Sequence, residues 1–280
     1  MHKTELFNRI NDDLLSKIET GTLPWRREWS AAGVPYNMIS KKAYQGINFL
    51  LLMFDRVPAP QYLTFLQAKE KNLLIKKGSK GRQIVFWKIL DTGAVNTKTS
   101  EIETKHVPFL RFSYVFNVSD LEGYHIPAPS LKMPLDVLNG IVQAHNPVIT
   151  NNLERCYYSA SDNLISTPTV NNFTNEQEYF SAIFHELVHW TGHQSRLNRS
   201  TIEIPGNHKS GYAYEELIAE IGSSYLCSMC GLETLNNSAA YLSGWMKTGK
   251  LDNSYFITAT QEAFKAVNFL INQTPEEQAA

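Results

Sequence analysis

Two histidines four residues apart, with a glutamate beside the first, are the residues best placed to do chemistry: His185-Glu186-Leu187-Val188-His189. On a helix, positions i and i+4 share one face, so both imidazoles can offer a nitrogen to a single ion. Glu186 projects about 100° round the same cylinder. From there it can reach a water held by the ion without being a ligand, which suits a general base for hydrolysis. Two histidines and a carboxylate with one open position form a catalytic zinc pattern, so Zn2+ is the expected ion, with Mn2+ as another divalent candidate.

The pattern fixes only three positions, and two surface histidines on an amphipathic helix would also match it. The surrounding residues argue for the metal. Thr174-Asn175-Glu176-Gln177 fits a capping box with Thr174 as N-cap. Tyr179, Phe180, Ile183, Phe184, Leu187, Val188 and Trp190 then form a broad apolar face at helical spacing. A largely buried helix makes its histidine pair and glutamate need a partner.

The third ligand must come from elsewhere. His193 continues the i+4 series, but Gly192 falls where the helix should end, and three stacked positions on one helix surround an ion poorly. In Tyr214-Glu215-Glu216-Leu217-Ile218-Ala219-Glu220-Ile221, Glu216 and Glu220 share one face of a second helix amid apolar residues. One carboxylate can reach the ion while the other hydrogen-bonds a ligand imidazole. The arrangement resembles that of gluzincins, in which the upstream glutamate is the ligand. That resemblance assigns Glu216 to the metal and leaves Glu220 behind the ligands; His193 is also read as standing behind them. Tyr212, Tyr214 and His208 are candidates to stabilise an oxyanion, from their closeness to that helix.

Composition supports a globular chain with room for one large or two ordinary domains: 280 residues, 43% hydrophobic and 19% charged. No apolar run is long enough to span a membrane, and no secretory pattern is visible at the start. Three cysteines form no disulfide framework, which fits a reducing, cytoplasmic compartment. Cys227 and Cys230 make a C-x-x-C inside a helical pattern and read as packing thiols. The net charge of −1 is unevenly spread: residues 1–128 hold 18 basic and 12 acidic residues, whereas residues 129–280 hold 8 and 15. A basic first half on an acidic second half suggests two domains, 1–128 and 129–280, the first with an anionic partner such as nucleic acid.

Taken in order, residues 3–20 form an amphipathic helix ended by Gly21. Trp25-Arg26-Arg27-Glu28-Trp29 is either a pair of core indoles or a base-stacking platform beside phosphate-binding arginines. Tyr44-Gln45-Gly46-Ile47-Asn48 leads into a helix to about Phe54, and Thr64 caps another that runs to Lys71. Lys76, Lys77, Lys80 and Arg82 sit with two glycines in a basic turn before strand-like Ile84–Trp87, a phosphate-tracking loop. Polar Asp91–Lys105 reads as a long connection before a strand over Phe109–Val118. The proline-rich stretch from Tyr124 to Ser130 is the linker. Beyond it come a helix over Pro134–Gln143, a short hairpin through Cys156–Ser166, the histidine helix, and helices over Tyr212–Cys230, Ser238–Lys247 and Ser254–Ile271. The expected class is α+β: a mixed first domain with a small antiparallel sheet, and a mostly helical second domain.

Several of these stretches together resemble the ArdC family of antirestriction proteins, carried by plasmids and phages. In the first half they are Gly21–Trp29, Tyr44–Asn48, Lys76–Gly81 with Val85-Phe86-Trp87, and Tyr114–Val118. In the second half they are His185–His193, Arg196-Leu197, Tyr212–Glu220 and Tyr241–Trp245. The resemblance implies an N-terminal domain that binds single-stranded DNA, with Tyr44 and Asn48 joining the basic and aromatic residues above. It also implies a C-terminal zincin-like metallopeptidase domain, and protection of incoming DNA from restriction. A DNA-bound protein such as a nuclease is the conceivable peptide substrate, and no membrane partner is expected.

Overall fold

The computed structural model describes residues 33–53, 57–95, 102–125, 131–152, 154–201, 209–232 and 255–271. The expected helices over 3–20 and 238–247, the Trp25–Trp29 stretch and His208 lie outside those residues, as do much of the linker and the Tyr241–Trp245 motif. The first half holds β1 (Tyr36–Asn37), α1 (Ile47–Met53), β2 (Gln61–Thr64), α2 (Phe65–Glu70), β3 (Arg82–Val95) and β4 (Ile102–Asn117). The second holds α3 (Pro134–His145), β5 (Val148–Asn152), β6 (Tyr157–Ser159), β7 (Leu164–Pro168), α4 (Glu176–Thr191), α5 (Lys209–Cys230) and α6 (Tyr255–Ile271). The class is α+β, as expected.

Strands β1-β2-β4-β3 form one sheet, with β1 parallel to β2 and the other pairs antiparallel. Of the polar stretch expected as a connection, residues 91–95 and 102–105 are instead strand. The β3–β4 ladder runs from Arg82↔Val115 to Val95↔Ile102, because ladder bonds use backbone groups and tolerate any side chain that can face solvent. Pro108 is accommodated there because this part of β4 pairs with β3 alone among the described strands, so its missing N–H breaks no second ladder. Thr64 caps α2 as expected, with Gln67 closing the box in return.

The second sheet is β5-β7-β6. The expected hairpin is β6–β7, while β5, parallel to β7, was not anticipated. Its residues Val148–Asn152 alternate too weakly to signal a strand. On α4 the cap is Asn175 rather than Thr174: its side chain accepts from Glu178 N at 2.9 Å. The two candidates are adjacent, and the asparagine's carbonyl is the one that meets the free N–H. Helix α5 stops at Gly231, whose φ of +67° lets Leu232 N reach back to Cys227 O.

The two halves share one core. Phe49 of α1 packs on Tyr225 and Phe264 at ring-centroid distances of 5.1 and 5.6 Å. Phe49, Leu50 and Val85 belong to the same apolar cluster as Phe184, Leu187, Leu217 and Ile221. Asn48, one residue before Phe49, fixes this junction. Its Nδ2 donates to Val85 O at 2.8 Å and its Oδ1 accepts from Val85 N at 2.7 Å. The side chain thus behaves as one residue of a strand against the edge of β3. Changing Asn48 to Leu leaves both Val85 backbone groups unpaired and should cost about 1–3 kcal/mol. Urea denaturation of the two proteins measures this, and an unchanged midpoint would contradict the assignment.

Candidate metal centre

Helix α4 ends on two arginines. Arg199 donates from Nη2 to Val188 O and from Nη1 to Thr191 Oγ1, both at 2.8 Å, while Arg196 Nε donates to Trp190 O at 2.5 Å. Cations on these last carbonyls complement the helix C-terminus. The Arg196 guanidinium also lies 3.7 Å above the Trp190 ring and donates to Asn163 Oδ1 at 2.6 Å, tying the helix end to the β6–β7 hairpin.

This bracing places His185 and His189 opposite α5. Their Nε2 atoms are 3.1 Å apart, and each lies 3.5 Å from one oxygen of Glu216. A tetrahedral ion with bonds of roughly 2.0–2.1 Å holds its donors about 3.3 Å apart. The three side chains therefore already stand at the spacing of a metal's ligands, and they form the one such cluster among the described residues. The donor set fits a divalent metal.

Each imidazole also has its other nitrogen on a carboxylate. His185 Nδ1 is 3.1 Å from Glu220 Oε1, and His189 Nδ1 is 3.3 Å from Glu215 Oε1. Such partners fix ring orientation and raise ligand basicity. Burial alone would lower both imidazole pKa values. The hydrogen bonds to Glu216 and Glu220 overcome this for His185, which is raised well above its ordinary value. Those to Glu215 and Glu216 raise His189 to about 9.

Glu215 is the residue that sequence reasoning missed. It is buried and receives Arg199 Nε at 3.0 Å, Arg199 Nη2 at 2.5 Å and Thr201 Oγ1 at 2.6 Å. Burial opposes its ionisation, but hydrogen bonds from His189 and Arg199 hold its carboxyl at about 2. Glu216, also against the penalty of burial, is held well below the usual range by His185 and His189. His193 is a correction. It stands in the turn past α4, its Nδ1 2.8 Å from Ser195 Oγ, and so serves the loop rather than the ligands.

Glu186 stands outside the ligand cluster but on the same cleft, and its Oε2 accepts from Tyr158 N of β6 at 2.8 Å. A cleft of about 370 Å³ opens over His185, Glu186, His189 and Glu216, with Tyr212 at its wall. A second of about 330 Å³ also reaches Glu186, with Phe173 and Glu220 on its walls. Arg155 and Cys156 line both. Burial and the nearby Glu186 push the Cys156 thiol up to about 12, so it stays neutral. Tyr214 instead hydrogen-bonds toward Thr258 on α6. Cys227 and Cys230 are free and in the core, as the C-x-x-C was read.

The nucleic-acid candidates divide. Tyr44 is packed edge-on against Tyr62, at 6.2 Å, in a small core, and Asn48 is committed to Val85. Both therefore have structural roles: a polar or aromatic side chain near a basic run can be engaged by the fold itself. Lys76 Nζ donates to Ser119 O at 2.7 Å, and Arg82 pairs with Asp120. Lys77 and Lys80 remain exposed on the turn, and Tyr114, 55% exposed, lies against the neighbouring Gly81.

Comparison with known proteins agrees in both halves. Residues 4–116 match the family described as the N-terminal domain of anti-restriction factor ArdC, and residues 136–262 match the zincin-like metallopeptidase family. The crystal structure of the metal-free antirestriction protein ArdC from plasmid R388 superposes with a TM-score of 0.78 at 30% identity, over 95% of this chain and 96% of that one. The chain belongs to the ArdC family. The Mn(II)-bound form of the R388 ArdC gives a TM-score of 0.76 at 29% identity, over 95% of this chain and 97% of that one. Two DNA primases TraC of Escherichia coli are each 28% identical over 96% and 94% of this chain, which spans only 27% and 19% of their lengths. An uncharacterized protein, y4eC, of Sinorhizobium fredii (strain NBRC 101917 / NGR234) is 27% identical over 98% of this chain and 94% of its own.

The ligand spacing depends on how closely α4 and α5 approach. A Cβ at Gly222 would meet the Val188 methyls at 2.9 and 3.0 Å. The alanine gain in helix propensity, about 1 kcal/mol, is smaller than the typical cost of overpacking, about 1–3 kcal/mol. Gly222→Ala should therefore be destabilised and bind metal roughly tenfold more weakly, as outer-shell changes do. Isothermal titration with Zn2+ or Mn2+ checks this; wild-type affinity in the variant would sink it.

Proposed function

We propose that this protein is an antirestriction protein that binds single-stranded DNA through residues 1–128 and carries a gluzincin-type metallopeptidase site within residues 129–280. Protection of incoming plasmid or phage DNA is its role. The observation that carries the enzymatic part is Glu186, a carboxylate set beside a ready two-histidine, one-glutamate cluster and open to a cleft. His185, His189 and Glu216 would hold Zn2+, and that ion would supply polarisation of a carbonyl and acidification of a water. Tyr158 N–H holds one oxygen of Glu186 in place, so the carboxylate is oriented to take the proton from the attacking water. Tyr212, on the same cleft wall, is placed to donate to the oxygen on which charge develops. The substrate class this chemistry fits is a peptide bond of a DNA-bound protein.

DNA binding rests on the charge of the first half, on exposed Lys77 and Lys80, and on Tyr114 beside them. Lysines on phosphates give affinity that falls steeply with salt, and each stacked base adds about 1–3 kcal/mol. A second reading keeps the metal as a staple between α4 and α5. That His185 and His189 come from α4 and Glu216 from α5 favours it, since one ion would then tie the two helices together.

Glu186→Ala separates the two. If the site cleaves peptides, the variant should keep its metal content and its salt-sensitive affinity for single-stranded oligonucleotides, while antirestriction in a plasmid-transfer assay falls by at least about a hundredfold. Full protection by this variant would leave the metal a structural part only.

A further inference from the structure

A cavity away from the metal centre lies where the two halves meet. It measures about 440 Å³, within the range of roughly 300–1,000 Å³ that small-molecule sites occupy. Its walls come from the β1–β2 edge (Tyr36, Pro60, Gln61), the turn before α1 (Lys41, Ala43), and Tyr225, Met229 and Lys132 of the second half. Gln61 is only 4% exposed, yet its Oε1 has no hydrogen-bond partner among the described residues. It is the one buried side-chain polar atom so left there. A buried amide with an idle acceptor costs stability that a fold does not ordinarily concede.

The backbone around Gln61 is fixed. Its carbonyl accepts from Asn117 Nδ2 at 3.0 Å, and β1 pairs Tyr36 with Gln61 in register. Lys41 is held in the left-handed region, φ +61°, by a turn in which its N–H donates to Asn37 O at 2.8 Å. That conformation suits glycine or asparagine better than lysine, and such strain concentrates at functional sites. The cavity therefore combines a buried carboxamide, two aromatic side chains and two lysines.

We propose that this cavity takes one unpaired nucleobase of a single-stranded nucleic acid, with its Watson–Crick edge on the Gln61 carboxamide. The inference rests on the single-stranded DNA reading above and deepens it. Every base carries a donor next to an acceptor on that edge, and a carboxamide offers the complementary pair. The pocket accordingly accepts any base while rejecting a duplex, whose edges are already paired. Tyr36 supplies aromatic surface for the ring, and Lys41 and Lys132 attract the flanking phosphates.

The test uses the full-length protein and two labelled oligonucleotides of equal length, one of thymidine and one of N3-methylthymidine, compared by fluorescence anisotropy. They share charge and stacking, but the methylated one lacks the Watson–Crick N–H. The wild type should bind the methylated strand about tenfold more weakly. Gln61→Leu should bind both strands alike, at the weaker level, with a melting temperature not lowered, since it removes an unsatisfied polar group. Equal binding of the two strands by the wild type would overturn the pocket while leaving the DNA reading standing. Failure to bind either strand would overturn that reading, and the pocket with it.

Discussion

The separation of α4 and α5 is the constraint on which the rest of the structure turns. Two imidazoles on one helix can offer nitrogens to an ion, but a carboxylate must arrive from a second helix within a few tenths of an ångström of the right distance. Val188 against the bare face of Gly222 sets that approach. The common core, running from Phe49 through Leu187 and Leu217 to Phe264, then holds the helices in place. A close-packed interior transmits small displacements rather than absorbing them, so changes remote from the site reach it through α5.

Electrostatics completes what packing begins. Glu216 and Glu220 sit across from His185, and Glu215 sits behind His189 with Arg199 on its far side. The chain His189–Glu215–Arg199–Val188 O closes on the same helix that carries the histidine. Arg199 thus caps the helix and neutralises the carboxylate in a single placement. A buried charge pair of this kind does more for orientation than for stability. The acidic cluster raises both imidazoles above their ordinary values, so binding of a cation by them would release protons.

Much of this could be read from the sequence, and the failures have identifiable causes. The helices of the second half follow from strong 3.6-residue periodicity, and the ends at Gly231 and Thr64 follow from residues with few other uses. His185, Glu186, His189 and Glu216 are legible because the chemistry demands fixed spacing on helices. Glu215 was not: it is one step round the helix from Glu216, and its partner Arg199 lies in an irregular loop with no periodic signal. The β3–β4 ladder extends past the expected strands because polar residues read as loop in a sequence, whereas the ladder is made by backbone groups. Asn48 and Tyr44 were assigned to DNA because sequence cannot tell a side chain that faces solvent from one that completes a sheet edge or a small core. Gln61 carried no signal at all, since only burial without a partner marks it.

The central claim is the ligand set, and Cys156, which lines both clefts beside Glu186, is the nearby alternative donor. X-ray absorption spectroscopy of the zinc-loaded protein addresses it most directly. The account predicts a shell of nitrogen and oxygen scatterers at roughly 2.0–2.2 Å, with the outer-sphere pattern of two imidazoles. A sulfur scatterer near 2.3 Å, or an all-oxygen shell without imidazole, would contradict it.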